Sequence, residues 1–239
     1  MFFERGENGN EMCLMMDYFN TDLEKIIHGN NVNLNEEDIK LIMKQLIEAV
    51  NVLHTNYILH RDIKPSNILV NKQGKCVLTD FGLSRKFAEP DAKLTKNIIT
   101  RWYRPPEILF GAQYYGEKID VWSLGCIFAE LFLKKPLFKG DNEIDQLSKI
   151  FGIRGGPTKE NWPDADKLPH YLRFEASIGF PLSKILDNAS TEAIEIINEM
   201  LQLDPKKRPK LAKLLKRKYF RVKEEWENNF QQKIHKIIN

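Results

Sequence analysis

The sequence is short of the features that mark a secreted, membrane-bound or nucleic-acid-coating protein. Cysteine is scarce: Cys13, Cys76 and Cys126 are widely spaced and odd in number. They have neither metal-ligand spacing nor a disulfide framework, which fits a reducing intracellular compartment. Long apolar runs are missing as well. The longest apolar-rich stretch, residues 121–133, holds Ser123 and Glu130 and is too short to span a bilayer. The opening Met1-Phe2-Phe3-Glu4-Arg5 has no basic start with an apolar run behind it, so no secretory leader is expected. The formal charge of +3 gives no reason of its own to expect a nucleic-acid partner. Internal repeats and low-complexity segments are absent. What remains is ordinary globular composition, 42% apolar and 29% charged over 239 residues, enough for one large domain or two small ones.

Periodicity gives a coarse layout. Residues 11–16 read as a short strand. Asn35 is placed to cap a helix whose first turn holds Glu36, Glu37 and Asp38, with Ile39, Met43, Leu46, Val50 and Leu53 at helical spacing. Residues 58–70 and 76–79 read as short strands around the turn Asn71-Lys72-Gln73-Gly74. Residues 80–109 form a long irregular stretch, of the kind that is usually functional. Beyond it the pattern is helical. Residues 121–133 are apolar nearly all round and so expected to be a buried central helix. Asp141 is placed to cap 143–151, Ser190 to cap 191–201, and 221–238 is amphipathic. The fold class is α+β with helix dominant.

Chemistry concentrates in His60-Arg61-Asp62-Ile63-Lys64-Pro65-Ser66-Asn67. Phosphoryl transfer to a hydroxyl needs a carboxylate to orient the nucleophile and take its proton, oxygen ligands for Mg²⁺, and a cation near the moving phosphate. Asp62, Asn67 and Lys64 supply these within one short loop. Asp80-Phe81-Gly82 follows with a further carboxylate for Mg²⁺, a glycine for the backbone turn and Phe81 to pack beneath. Either motif alone is also readable as a polar turn, but the two in order specify a protein-kinase catalytic loop. Pro105-Pro106-Glu107 stands where kinases carry Ala-Pro-Glu.

From about residue 11 to 220 the chain resembles the C-terminal lobe of cyclin-dependent kinases. Within them it is similar to the CDK-activating type, the catalytic subunit of the kinase module of general transcription factor H. Thr21-Asp22-Leu23-Glu24-Lys25-Ile26-Ile27, Thr100-Arg101-Trp102-Tyr103-Arg104, Leu109-Phe110-Gly111-Ala112 and Trp162-Pro163-Asp164 carry that closer match. The resemblance implies a protein-kinase-like fold, mostly the helical C-terminal lobe with the hinge and a remnant of the N-terminal lobe sheet. The implied segments are 1–19 for that remnant, 20–220 for the lobe and 221–239 for an amphipathic tail.

The resemblance also implies roles. Asp62 is the base, Lys64 the phosphate cation, Asn67 and Asp80 the Mg²⁺ ligands, and Thr100 bonds the catalytic aspartate and lysine. Met16 is the gatekeeper, Asp17 to Phe19 the hinge facing adenine, Leu69 the adenine floor, and Asp22 the residue near the ribose. Thr95 is the activating phosphorylation site, with Arg61 and Arg85 as its clamp. Asp120 ties the buried helix to the catalytic loop, and Glu107 pairs with Arg208. Read without the resemblance, Met16 and Leu69 are ordinary core residues and Arg208 belongs to a basic run. The implied cofactors are ATP and Mg²⁺, and the implied partners are a protein substrate (Ser or Thr followed by Pro), a cyclin and an assembly factor. No nucleic acid or membrane is expected. The implied location is nuclear, with the cytoplasm also open.

Ahead of residue 16 the only glycines are Gly6 and Gly9, with no room for a Gly-rich loop, a lysine strand and a control helix. Two explanations are open: part of a complete kinase, or a shortened chain acting through its surfaces as a binding module or decoy. The intact catalytic loop favours the first. Residues 206–223 carry ten cations and no carboxylate. Because Leu211, Leu214, Leu215 and Phe220 intervene, they read as the solvated face of a helix rather than as a nucleic-acid patch.

Overall fold

The computed structural model describes residues 2–6, 9–13, 16–29, 32–87, 100–174 and 178–238, the first two stretches by backbone alone. Its elements in chain order are β1 (Phe2–Gly6), β2 (Gly9–Cys13), β3 (Thr21–Asp22), α1 (Leu23–His28), α2 (Glu36–Thr55), β4 (Ile58–Leu59), β5 (Ile68–Val70), β6 (Cys76–Leu78) and β7 (Arg85–Lys86). They continue as α3 (Pro106–Leu109), α4 (Lys118–Leu133), α5 (Glu143–Arg154), α6 (Leu182–Ile185), α7 (Thr191–Met200), α8 (Leu211–Leu214) and α9 (Glu224–Ile238).

The apolar helix is the axis of the molecule. In α4 the run from Ile119 to Phe132 is buried, and α2 and α7 pack against it. Such a helix has no solvent face to stabilise it and depends on neighbours on every side. α2 supplies one of them through Ile42, Met43, Leu46 and Val50, all fully buried. Its start is fixed by a reciprocal cap: Asn35 Oδ1 accepts from the Asp38 amide and Asp38 Oδ2 accepts from the Asn35 amide, both at 2.9 Å.

Short antiparallel strands edge this helical core. β3, β5 and β6 form one sheet, with Asp22 opposite Leu69 and Leu69 opposite Val77. β4 pairs with β7, Leu59 opposite Arg85. β1 and β2 make a hairpin in which Gly6 faces Gly9.

The structure corrects several expectations. The strand expected at 11–16 lies at 9–13 and is paired to 2–6, which periodicity did not mark. The strand expected at 58–70 is broken after Leu59. There the His60 and Arg61 amides turn to Asp120 instead of to a strand neighbour, Arg61 takes φ +69°, and Pro65 opens a 3-10 turn. Asn142, not Asp141, caps α5: Asn142 Oδ1 accepts from the Asp145 amide at 3.0 Å, while the Asp141 amide donates to Asp145 Oδ2. The basic stretch 206–223 is not one helix. Pro205 and Pro209 lack an amide hydrogen and hold their predecessors extended, so the chain there is two 3-10 turns, Pro205–Lys207 and Lys218–Phe220, with α8 between. Leu211, Leu214 and Phe220 still point inward.

α9 packs on α2 through Phe230 and Ile234, buried within the main core. Gly74 (φ +74°) lies against Phe230 of this helix. A Cβ there would lie 2.9 Å from the Phe230 ring, so the turn between β5 and β6 takes glycine for both reasons.

Candidate active site

The loop 60–67 is suspended from α4. Asp120, in the first turn of that helix, accepts from the His60 amide through Oδ2 and from the Arg61 amide through Oδ1, each at 3.0 Å. His54 of α2 reaches the same Oδ2 at 2.9 Å. A buried carboxylate that accepts several N–H donors is fully satisfied, so the loop backbone is fixed to the core before any substrate arrives. His60 is buried, its Nε2 at 3.0 Å from the Thr79 carbonyl.

Asp62 follows and is 4% exposed. Its Oδ2 receives Lys64 Nζ at 2.8 Å and Asn67 Nδ2 at 2.9 Å. Its Oδ1 receives the Thr100 hydroxyl at 3.0 Å and the Thr100 amide at 3.3 Å. Lys64 also donates to Thr100 Oγ1 at 3.2 Å. Burial by itself would raise the Asp62 carboxyl. The hydrogen bond and charge of Lys64, with the bonds from Thr100, outweigh it and hold the group below the usual carboxylate range. Asp62 is therefore ionised at neutral pH, the state a proton acceptor needs.

The residues expected to hold a metal suit Mg²⁺. Asn67 gives its side-chain nitrogen to Asp62, to the backbone oxygen as well as to Oδ2, which turns its Oδ1 away as a hard acceptor. The Thr79 amide donates to the Asn67 carbonyl at 3.0 Å, bringing the next residue, Asp80, alongside. Asp80 is exposed, in left-handed backbone (φ +61°), with the Gly82 amide on Oδ1 at 3.3 Å. Mg²⁺ takes one or two protein oxygens plus phosphates and water rather than a full protein cage. Among the described residues there is no cluster of three or more His, Cys, Asp or Glu able to hold a metal ion.

Phe81 sits against the His60 ring, centroids 5.0 Å apart, yet is 48% exposed rather than packed beneath. Met16 is 67% exposed and Asp17 is exposed, while Phe19 is half-buried. Leu69 is partly buried in β5 opposite Asp22. Asp22 is engaged at the start of α1, its Oδ1 accepting from the Lys25 amide at 2.9 Å and its Oδ2 paired with Lys25 Nζ at 2.8 Å.

Arg61 is buried and donates to the Leu83 carbonyl at 2.6 Å and to the Tyr115 hydroxyl at 3.1 Å. Arg85 is exposed in β7. Thr95, the expected phosphorylation site, lies outside the described residues. Glu107 and Arg208 form a two-pronged buried pair at 2.6 and 2.7 Å. Arg208 also donates to the carbonyls of Gln202, Lys118 and Leu203 and lies 4.8 Å above the Trp122 ring. Its guanidinium is thereby satisfied on all sides.

Sequence reasoning missed three contacts, made by two residues, His54 and Glu130. His54 on Asp120 carries no local signal. Glu130 is fully buried and bonded to Tyr103 and His28; its one signal is a carboxylate in an otherwise apolar helix.

A helical lobe with such a loop under a short sheet is the architecture of a protein kinase. Residues 2–220 match the protein kinase domain, and the chain belongs to that family. It is homologous to cyclin-dependent kinases. It is 40% identical over 207 residues to cyclin-dependent kinase D-1 of Arabidopsis thaliana, covering 87% of this chain and 52% of that one. To cyclin-dependent kinase 7 of Caenorhabditis elegans it is 42% identical over 210 residues, covering 87% and 64%. This chain thus spans about half to two thirds of the length of these curated relatives. The fold is also that of the CAK complex structure from Chaetomium thermophilum bound to ATP-gamma-S, with TM-score 0.86 and 39% identity over 94% of this chain and 71% of that one. The structure of the yeast RNA Pol II CTD kinase CTDK-1 complex matches at TM-score 0.80 and 35% identity, over 87% and 70%. The fold is a mostly helical kinase lobe with small N-lobe sheet elements.

Proposed function

We propose that this chain acts as a Ser/Thr protein kinase of the cyclin-dependent, CDK-activating type, moving the γ-phosphate of ATP to Ser or Thr followed by Pro. The observation that carries this reading is the Asp62 carboxylate, buried, ionised and gripped by Lys64, Thr100 and Asn67. An incoming substrate hydroxyl takes the place of one of these donors, and Asp62 orients it and accepts its proton. Lys64, already 2.8 Å from Asp62, offers its charge to the phosphoryl group in flight. Asn67 and Asp80 are the residues that would hold Mg²⁺, whose charge offsets that of the phosphate oxygens. The nucleotide bound in the Chaetomium relative supports ATP as donor. The hinge at Asp17 and Phe19, Leu69 and Asp22 are the proposed nucleotide contacts.

That both solved relatives are complexes supports a cyclin and an assembly factor as partners. Phosphorylated Thr95, clamped by Arg61 and Arg85, is the proposed switch, and the nucleus the proposed location, in cell-cycle or transcription control. A second reading, a lobe that binds partners without transferring phosphate, is favoured by the exposure of Met16, Tyr18 and Phe81 on the nucleotide side. Labelled ATP, Mg²⁺ and a Ser-Pro peptide, with and without a cyclin, separate the two. Label on the peptide that is lost with EDTA supports the kinase. No label and no thermal shift with Mg-ATP rejects it in favour of the binding module.

A further inference from the structure

α9 lies beyond residues 2–220, the stretch that matches the protein kinase domain, and its charge is uneven. Its first turn holds Glu224, Glu225 and Glu227, whereas residues 228–239 hold no carboxylate. A helix face that only meets water ordinarily mixes both signs of charge. Here Asn228, Gln231, Gln232 and His235 are exposed at i, i+3, i+4 and i+7, a row along one face of the helix. Opposite this row stands the turn between β5 and β6. The two enclose a groove of about 530 Å³, walled by Lys72 and Gln73 of the turn and by the row and Lys236 of the helix. The groove is lined by these two lysines and by no carboxylate. A second hollow along the same flank holds Lys44 and Lys75 with a single carboxylate, Glu227.

Both walls are set before anything binds. On the helix side Phe230 and Ile234 are buried, and Lys233 is committed to Asp38. On the turn side Asn71 Oδ1 accepts from the Gln73 amide at 3.0 Å and the Lys75 amide at 2.9 Å, and Gly74 rests on Phe230. A site so held loses little freedom on taking up a ligand.

The lining selects the occupant. Lysines without a carboxylate between them attract an anion. Amide side chains both donate and accept, so Asn228, Gln231 and Gln232 can pair with the N–H and C=O groups of an extended peptide. From Asn228 to Lys236 the row is about 12 Å long at 1.5 Å per residue, the length of about four extended residues. That is short for a nucleic-acid duplex, which is held through many phosphates along its backbone. The row also lacks the apolar side chains with which a helix enters a lipid surface.

We propose that the groove between α9 and the turn 71–75 is a docking site for a short, extended, acidic segment of a partner protein. Its carboxylates or phosphates meet Lys72 and Lys236, and its backbone meets the amide row. The site is separate from phosphate transfer, because none of its residues belongs to the loop 60–67 or to Asp80.

The test is fluorescence anisotropy on the full chain with a labelled peptide of about eight residues, carrying Glu at alternate positions and no Ser, Thr or Tyr. The acidic peptide should bind, and more weakly as salt is raised. Its counterpart with Gln for Glu should bind at least about ten-fold less tightly. Lys72→Glu together with Lys236→Glu should cost the acidic peptide about ten-fold or more, since each attraction becomes a repulsion. Gln231→Ala together with Gln232→Ala should cost about five-fold with the salt dependence unchanged. The same charge reversal at Lys213 and Lys216, exposed outside the groove, should change affinity by less than about two-fold. These positions are exposed or half-buried, and a thermal melt of each variant checks that it folds. A phosphoserine peptide that binds more tightly than the Glu peptide identifies the anion as phosphate, and equal binding identifies it as carboxylate; either upholds the site. Equal loss in the groove and control variants overturns it, as does equal binding of the Gln and Glu peptides. Absence of binding by both acidic peptides overturns it too. Duplex DNA or phosphatidylserine vesicles then held through Lys72 and Lys236 would assign the groove to nucleic acid or lipid instead.

Discussion

The catalytic loop and the hinge segment differ in what holds them. In residues 60–67 the polar groups are turned inward and paired: two backbone amides on Asp120, and the Asp62 carboxylate on Lys64, Asn67 and Thr100. At Met16 and in the proposed hinge, residues 17–19, the side chains are largely outward, with Met16 67% and Tyr18 83% exposed and Phe19 half-buried. The loop's geometry is set by the lobe's own core, because unpaired buried polar groups would be costly and here each has a partner. The hinge segment takes little of its position from side-chain burial. It offers surface and backbone to whatever binds there.

Substitutions should separate the two regions by size of effect. Asp62→Asn keeps the shape and removes the proton acceptor, so phosphate transfer should fall by about 10²–10⁴-fold, with cooperative unfolding retained in a thermal melt. Arg208→Ala leaves Glu107 buried and unpaired, and urea unfolding should show a loss of about 3–5 kcal/mol. A smaller effect is expected with acid. Because the Asp62 carboxyl is held below its usual range, it stabilises the fold above the ordinary carboxylate pKa, and that contribution disappears as pH falls through the depressed value. The stability gap between wild type and Asp62→Asn should therefore be open at neutral pH and close below about pH 4. Tyr18→Ser in the exposed hinge should move stability by no more than about 0.5 kcal/mol.

The same contrast separates what could be read in the sequence from what could not. Asp62, Lys64 and Asn67 lie within one loop, so their spacing alone brings them together. The cap at Asn35 and the buried run of α4 are equally local, being propensity and periodicity over neighbouring residues. Asp120, Thr100 and the Glu107–Arg208 pair are distant in sequence from what they touch, and only likeness to a family suggested them. Glu130 had no such guide. Its partners His28 and Tyr103 come from α1 and from a turn far along the chain, and a lone carboxylate in an apolar helix does not name them. The break after Leu59 escaped periodicity because apolar residues resume at Ile63 and at Ile68 to Val70, while the backbone donors of His60 and Arg61 are diverted to Asp120. The single helix expected at 206–223 failed at Pro205 and Pro209, where loss of the amide hydrogen outweighs a helical spacing of leucines.

The account stands on the catalytic loop being fixed by the buried helix beneath it. Hydrogen–deuterium exchange of the His60 and Arg61 amides measures this directly. In the wild-type chain these amides should exchange as slowly as the core of α4, those of residues 17–20 should exchange quickly, and Asp120→Ala should bring 60 and 61 toward the fast group. Amides at 60 and 61 that exchange as fast as the hinge in the wild-type chain would contradict it.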